Sequence, residues 1–143
     1  MTELYDFVHS EGFTTYLNDQ GVDWLSNGAI ALLDEVAAGK ITGEEDWWSG
    51  TDLWDFAANV EGSKMAFSLA RDFAAAKGDD GAALVEEIDA GYTALEESLA
   101  AHGSLAAGFV GYRELTEDDK REFTDLINAL AEPLSQLTVT VLE

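Results

Sequence analysis

Apolar side chains recur every three or four residues along almost all of this chain, and a single proline, Pro133, interrupts the pattern. That period is the repeat of one helix face, so helices packed by their apolar stripes are almost the only fold open to it. Leu25, Ala29, Leu32, Leu33 and Val36 make one stripe, on a helix read as Val22 to Ala38 with Gly39 as its C′ residue. Leu53, Phe56, Ala57, Val60, Lys64, Phe67 and Phe73 carry what reads as the longest helix, capped by Ser49 or Thr51 and ended at Gly78. Leu84, Ile88, Tyr92 (or Gly91), Leu95 and Leu99 follow a cap at Asp79 or Asp80, and His102-Gly103 closes that helix. Phe123, Leu126, Ile127, Leu130, Leu134 and Leu137 line the last, which Thr116 and Asp119 start as a capping box and Pro133 kinks. Thr2 to Leu17 reads as a shorter helix, divided near Gly12, and Asn18 to Gly21 as a turn. Ser104 to Leu115 is a looser segment. The expected fold is all-α: an antiparallel up-down bundle of four main helices with a short extra helix at the N-terminus. Gly62, in mid-helix at a cost of about 1 kcal/mol, predicts the close approach of another backbone.

The 143 residues suit one domain, 1–143, and 47% hydrophobic content supports a real core. The charge is more unusual. Seven Lys and Arg oppose 29 Asp and Glu, a net charge of -22. With no basic patch to displace counterions from phosphates, nucleic acid is excluded as a partner. An anionic membrane surface is disfavoured for the same reason. The charge serves solubility or life at high salt, where screening relieves self-repulsion, and it attracts cations. There is no cysteine, which removes disulfides, thiolate metal sites and cysteine nucleophiles. No apolar run is long enough for membrane insertion, and the first residues carry no signal peptide in this form of the chain.

Chemistry concentrates between Ile41 and Gly62. Glu44, Glu45, Asp46, Asp52, Asp55 and Glu61 share that block with Trp47, Trp48 and Trp54. Asp52 and Asp55 are three apart on one helix face, and Glu45 can fold back toward them. Glu61 is nine residues beyond Asp52, about 13 Å along the axis, too far to share an ion with it. The candidate metal ligands are therefore Glu45, Asp52 and Asp55, an all-oxygen set suited to iron, calcium or another hard cation. The competing reading is that the two aspartates only stabilise a helix start, with the tryptophans as core and loop anchors. No pair of Glu-x-x-His motifs and no EF-hand loop occurs. His9-Ser10-Glu11 has triad-like composition, but adjacent helical residues face different ways, and His102 suits a helix C-terminus. No catalytic residue is assigned, and the chain is not expected to be an enzyme.

The same block carries a family likeness. Leu32-Leu33-Asp34-Glu35-Val36, Gly39-Lys40-Ile41-Thr42-Gly43-Glu44-Glu45, Thr51-Asp52-Leu53-Trp54-Asp55-Phe56 and Ala58-Asn59-Val60-Glu61-Gly62 resemble the imelysin-like domain of EfeO-type iron-uptake proteins. So do Ile88-Asp89, Gly108-Phe109-Val110-Gly111-Tyr112, Leu115-Thr116 and Ala129-Leu130-Ala131-Glu132-Pro133-Leu134-Ser135, in the same order. The likeness runs from Asn27 to the C-terminus and leaves residues 1–26 unassigned. The family's domain is about twice this length with two helical bundles, so the chain resembles a C-terminal half-domain with a replaced front end: a divergent natural protein, a truncation or an engineered bundle. It departs from the family pattern in lacking the His-x-x-Glu motif, since Gly12 follows His9 three positions on. Gly50 also stands where a histidine commonly precedes Thr-Asp-Leu. The resemblance implies a non-enzymatic, extracytoplasmic or periplasmic role in iron binding. The alternative is a structural half-domain that forms a homo-oligomer or pairs with another helical subunit.

Overall fold

The computed structural model describes residues 2–43 and 46–142. Two short helices, α1 (Thr2–Val8) and α2 (Glu11–Gln20), lead into four long ones: α3 (Val22–Glu35), α4 (Asp52–Ala75), α5 (Asp79–Ala100) and α6 (Glu117–Leu142). Each long helix packs on its neighbours in sequence, and α6 returns to α3 to close the ring. This is the expected antiparallel up-down bundle. Its stripes bury as read: Leu33, Phe56, Val60, Ile88, Leu95, Ile127 and Leu134 are all in the core. Phe56 meets Phe123 edge-on with ring centroids 5.1 Å apart. One polar feature crosses this interior. The Ser63 hydroxyl donates to the Ala29 carbonyl at 2.7 Å and lies 2.6 Å from the Tyr92 hydroxyl. A hydroxyl has one proton, so Tyr92 is the donor to Ser63, and α3, α4 and α5 are tied at one level. Burial pushes the Tyr92 phenol up to about 12, with the Ser63 bond pulling the other way.

Several boundaries differ from the sequence reading, each for a local reason. Ser10, not Gly12, divides the first segment: its Oγ accepts from the Phe13 N–H at 3.2 Å and caps α2. Asn18 to Gln20 stay helical, and Gly21 alone, at φ 82, turns the chain into α3. Past Glu35 the chain widens into a π-helical turn, Val36–Lys40, where the Ile41 N–H reaches back five residues to the Val36 carbonyl. Gly39 lies inside that turn and is no C′ residue. Gly78, at φ 101, precedes α5 in place of an aspartate cap, and α6, not α4, is the longest helix. Phe73 points outward. The close approach at Gly62 comes from a side chain rather than a backbone: a Cβ there would lie 3.1 Å from Leu32 Cδ1.

The segment after α5 is built. β1 (Gly103–Ser104) and β2 (Gly108–Phe109) pair antiparallel, and a 3-10 turn, Tyr112–Glu114, follows. The capping box then forms as read. The Thr116 N–H donates to Asp119 Oδ2 at 2.7 Å, and the Asp119 N–H donates to Thr116 Oγ1 at 3.2 Å. The Thr116 hydroxyl and N–H, in that order, hold the Asp119 carboxyl below its ordinary value. A depressed carboxyl stabilises the fold above its unfolded pKa and loses that contribution as pH falls through the folded one. Thr116→Ala should lower Tm by about 3–5 °C at neutral pH. Scanning calorimetry should show the gap to wild type narrowing below about pH 4. Pro133 is buried within α6 and does not end it. The tail runs on as helix, with Thr138 Oγ1 donating to Asn27 Oδ1 at 3.0 Å.

Candidate cation site at the acidic loop

Asp52 opens α4, where the helix dipole favours a negative charge, yet its side chain is only 1% exposed. The chain between α3 and α4 folds over it. The Asp46 N–H donates to Asp52 Oδ1 at 3.1 Å. The Gly50 N–H donates to the Asp46 carbonyl at 2.7 Å, in a turn where Gly50 has φ 67. Thr51 precedes the helix but makes no side-chain cap; its hydroxyl donates to the Asp46 carboxylate instead.

Tyr112, in the connection between α5 and α6, clamps the loop. Its N–H donates to the Gly50 carbonyl at 2.9 Å and its hydroxyl to the Ile41 carbonyl at 2.6 Å. Its ring covers Gly43, also at φ 67, so closely that a Cβ there would fall 2.1 to 2.5 Å from three ring carbons. Arg113 Nη2 donates to the Trp47 carbonyl at 2.7 Å, with its guanidinium 5.8 Å from the Trp47 ring centroid. Lys120 Nζ sits 4.9 Å from the Tyr112 ring centroid. Burial raises the Tyr112 phenol above its ordinary value; Lys120 opposes this and the Asp52 charge adds to it.

One atom under this loop is left over. Asp52 Oδ2 is buried with no hydrogen-bond partner among the described residues. A buried carboxylate oxygen with nothing to accept from is costly and calls for a bound water or ion. Asp55, one turn along, is half-buried. Glu45, the third expected ligand, lies outside the described residues, as does Glu44. Among the described residues no three His, Cys, Asp or Glu side chains are grouped to hold a metal ion. Glu61 is away from the loop, lining a cleft with Glu96 between α4 and α5.

The tryptophans are not core residues. Trp48 is 92% exposed, Trp47 is 65% exposed with Arg113 beside its ring, and Trp54 packs edge-on against Phe109 at 5.8 Å. Trp47 and Trp54 are thus loop anchors, because the space inside α4 is already filled by Leu53, Phe56 and Val60. Two contributors escaped the sequence reading. Asp46 acts through its backbone, which no side-chain motif reveals. Tyr112 is 60 residues beyond Asp52, and its only signal was a place in the Gly108 to Tyr112 motif.

The helical bundle is what the sequence motifs implied, and the chain belongs to the imelysin family. The family model, Peptidase_M75 (Imelysin), matches residues 1–137 and so takes in the first 26 residues. The chain is similar to the iron uptake system component EfeO of Yersinia pseudotuberculosis, 43% identical over 110 residues, or 77% of this chain and 28% of that protein. It is also similar to an Efem/EfeO family lipoprotein of Staphylococcus aureus, 36% identical over 112 residues, or 78% of this chain and 38% of that protein. The chain therefore spans less than two fifths of the length of these relatives. No described helix is long and apolar enough to cross a membrane.

Proposed function

We propose that the chain is an extracytoplasmic, EfeO-type binding protein of iron uptake, and that it takes a hard cation at the Asp52 carboxylate. The observation that carries this reading is the orphaned, buried Asp52 Oδ2 under a loop of the family's own motif. Asp52 supplies the fixed oxygen, Asp55 the next on the same helix, and Glu45, seven residues before Asp52 in sequence, the third. Carboxylate oxygens match iron(III), calcium and magnesium rather than softer ions. The surplus of 22 negative charges raises the local concentration of any cation. Relatives named as iron-uptake components support this class, as does the likeness to a lipoprotein for a place outside the cytoplasm.

A binding role fits better than the hydrolysis that the family model's peptidase name suggests. The chain has no cysteine. His9 stacks on Tyr5 and shares a hydrogen bond with the Tyr5 carbonyl, while His102 packs on Phe123 with its Nε2 3.8 Å from Asp119 Oδ1. Titration calorimetry with iron(III) citrate and with calcium tests the proposal. Wild type should bind one ion, and Asp52→Asn should weaken binding by about 10-fold or more, as loss of a charged ligand does. Asp55→Asn should weaken it less. Equal and negligible heats for wild type and Asp52→Asn, with both proteins folded by circular dichroism, would sink the assignment.

A further inference from the structure

α4 carries a second apolar stripe, and the bundle covers only part of it. Inward it buries Phe56, Val60, Phe67 and Ala70. Beside α3, Gly62, which meets Leu32, and half-buried Ala66 lead on to Leu69 and Phe73, which face outward; the spacings of four, three and four are the repeat of a helix-packing seam. On α3, Trp24, Gly28 and Ala31 run outward at four and three, beside that seam. A groove of about 520 Å³ lies between the two helices, lined by Trp24, Gly28, Leu32 and Ala66 among others. In a chain a quarter of whose residues are charged, these two stripes carry no charge, which is the depletion found at the centre of interfaces.

The geometry points to a second copy of this chain as the occupant. The contacts Ser63 to Ala29 and Asn59 to Leu32 set α3 and α4 antiparallel. The bulky residues Trp24, Leu69 and Phe73 therefore gather at one end of the face. The small ones, Ala31, Ala58 and Gly62, gather at the other. A two-fold axis lying across the helices near Ala66 places the bulky end of each copy over the small end of its partner. The face is self-complementary, as an isologous dimer requires. Trp24, Leu69, Phe73 and neighbouring Met65 are 48%, 55%, 54% and 64% exposed. At roughly half of the 150–250 Å² that a large side chain presents, these four leave on the order of 400 Å² in water. The groove floor adds to this, and the rims supply the rest of the roughly 800 Å² per partner that a standard interface buries. An uncharged face is also where two copies of charge -22 can meet, and salt, by screening the rims, strengthens the pair. The dimer does not rest on the cation site, which is read by a different experiment.

Sedimentation equilibrium of the whole chain between about 0.05 and 0.5 M NaCl tests this. Wild type should dimerise, more tightly as salt rises. Leu69→Lys, an exposed position that leaves the core alone, should raise the dissociation constant by about 10-fold or more. Ala129→Lys, on the exposed surface of α6, should leave it unchanged. Because the chain lacks cysteine, single cysteines report the register. Ala66→Cys, near the axis, should oxidise to a covalent dimer. Phe73→Cys should do so only when mixed with Ala58→Cys. A wild type that stays monomeric at about 100 µM in high salt overturns the proposal. So does a Leu69→Lys protein as dimeric as wild type, or a Phe73→Cys protein that links to itself while Ala66→Cys does not.

Discussion

Tyr92→Ala should lower the unfolding free energy by about 3–5 kcal/mol, the cost of emptying a buried aromatic site, and Tm by about 10–20 °C. Tyr92 is fully buried, packs at a tilt on Phe67 with ring centroids 5.7 Å apart, and joins through the Ser63 hydroxyl to the Ala29 carbonyl. Tyr92→Phe keeps the ring and gives up one donor, for about 1–2 kcal/mol. Ser63→Ala costs more than its size suggests, because it strands the buried Tyr92 O–H. The same group sets an alkaline limit. Its phenol titrates at about 12 in the folded protein and near 10 when unfolded. A raised folded pKa means stability that is complete below about pH 10 and lost as pH rises toward 12, by about 2–3 kcal/mol in all. Urea titrations at pH 8, 10 and 11.5 should show wild type losing this increment and Tyr92→Phe keeping it. Parallel loss in both proteins would place the alkaline sensitivity elsewhere.

Gly43→Ala should open the loop over Asp52 without unfolding the bundle. An L residue at φ 67 costs about 1–2 kcal/mol, and its Cβ would occupy the space of the Tyr112 ring. Tyr112 must leave, and with it go the bonds to Gly50 and Ile41 that hold the loop down. Hydrogen exchange of the Asp46 amide should quicken by about 10-fold or more, while amides in α5 and α6 keep their protection. Cation binding at Asp52 should fall in the same variant. Tyr112→Phe removes only the hydroxyl bond to Ile41, and its effect should be smaller in both measurements. An Asp46 amide as slow in Gly43→Ala as in wild type would show that Tyr112 does not hold this loop.

The parts of the fold that the sequence made legible are those where periodicity and burial coincide. The stripe from Leu84 to Leu99 buries at every expected position, and Thr116 and Asp119 form their reciprocal bonds because a capping box is a local object. Helix ends were read less well. The π-helical turn at Val36–Lys40 depends on where Val36 is buried and Ile41 must go, and no propensity encodes that. The role of Asp52 was half legible. Its place at a helix start followed from the motif, but its burial comes from Asp46 and Tyr112, whose bonds span six and 71 residues.

By itself, then, the sequence determined an all-helical bundle, its four stripes, its family and the acidity that draws cations. These are properties of spacing and composition, which each segment carries alone. Tertiary structure decided the rest. It turned Asp52 from a helix-start charge into a buried carboxylate with an unmatched oxygen, and put Trp48 in water. It also left Trp24, Leu69 and Phe73 facing outward on one side. The physical reason is common to all three. A stripe states that a side chain will be buried against something, but only the packed helices determine which face is already covered and which group is left without a partner.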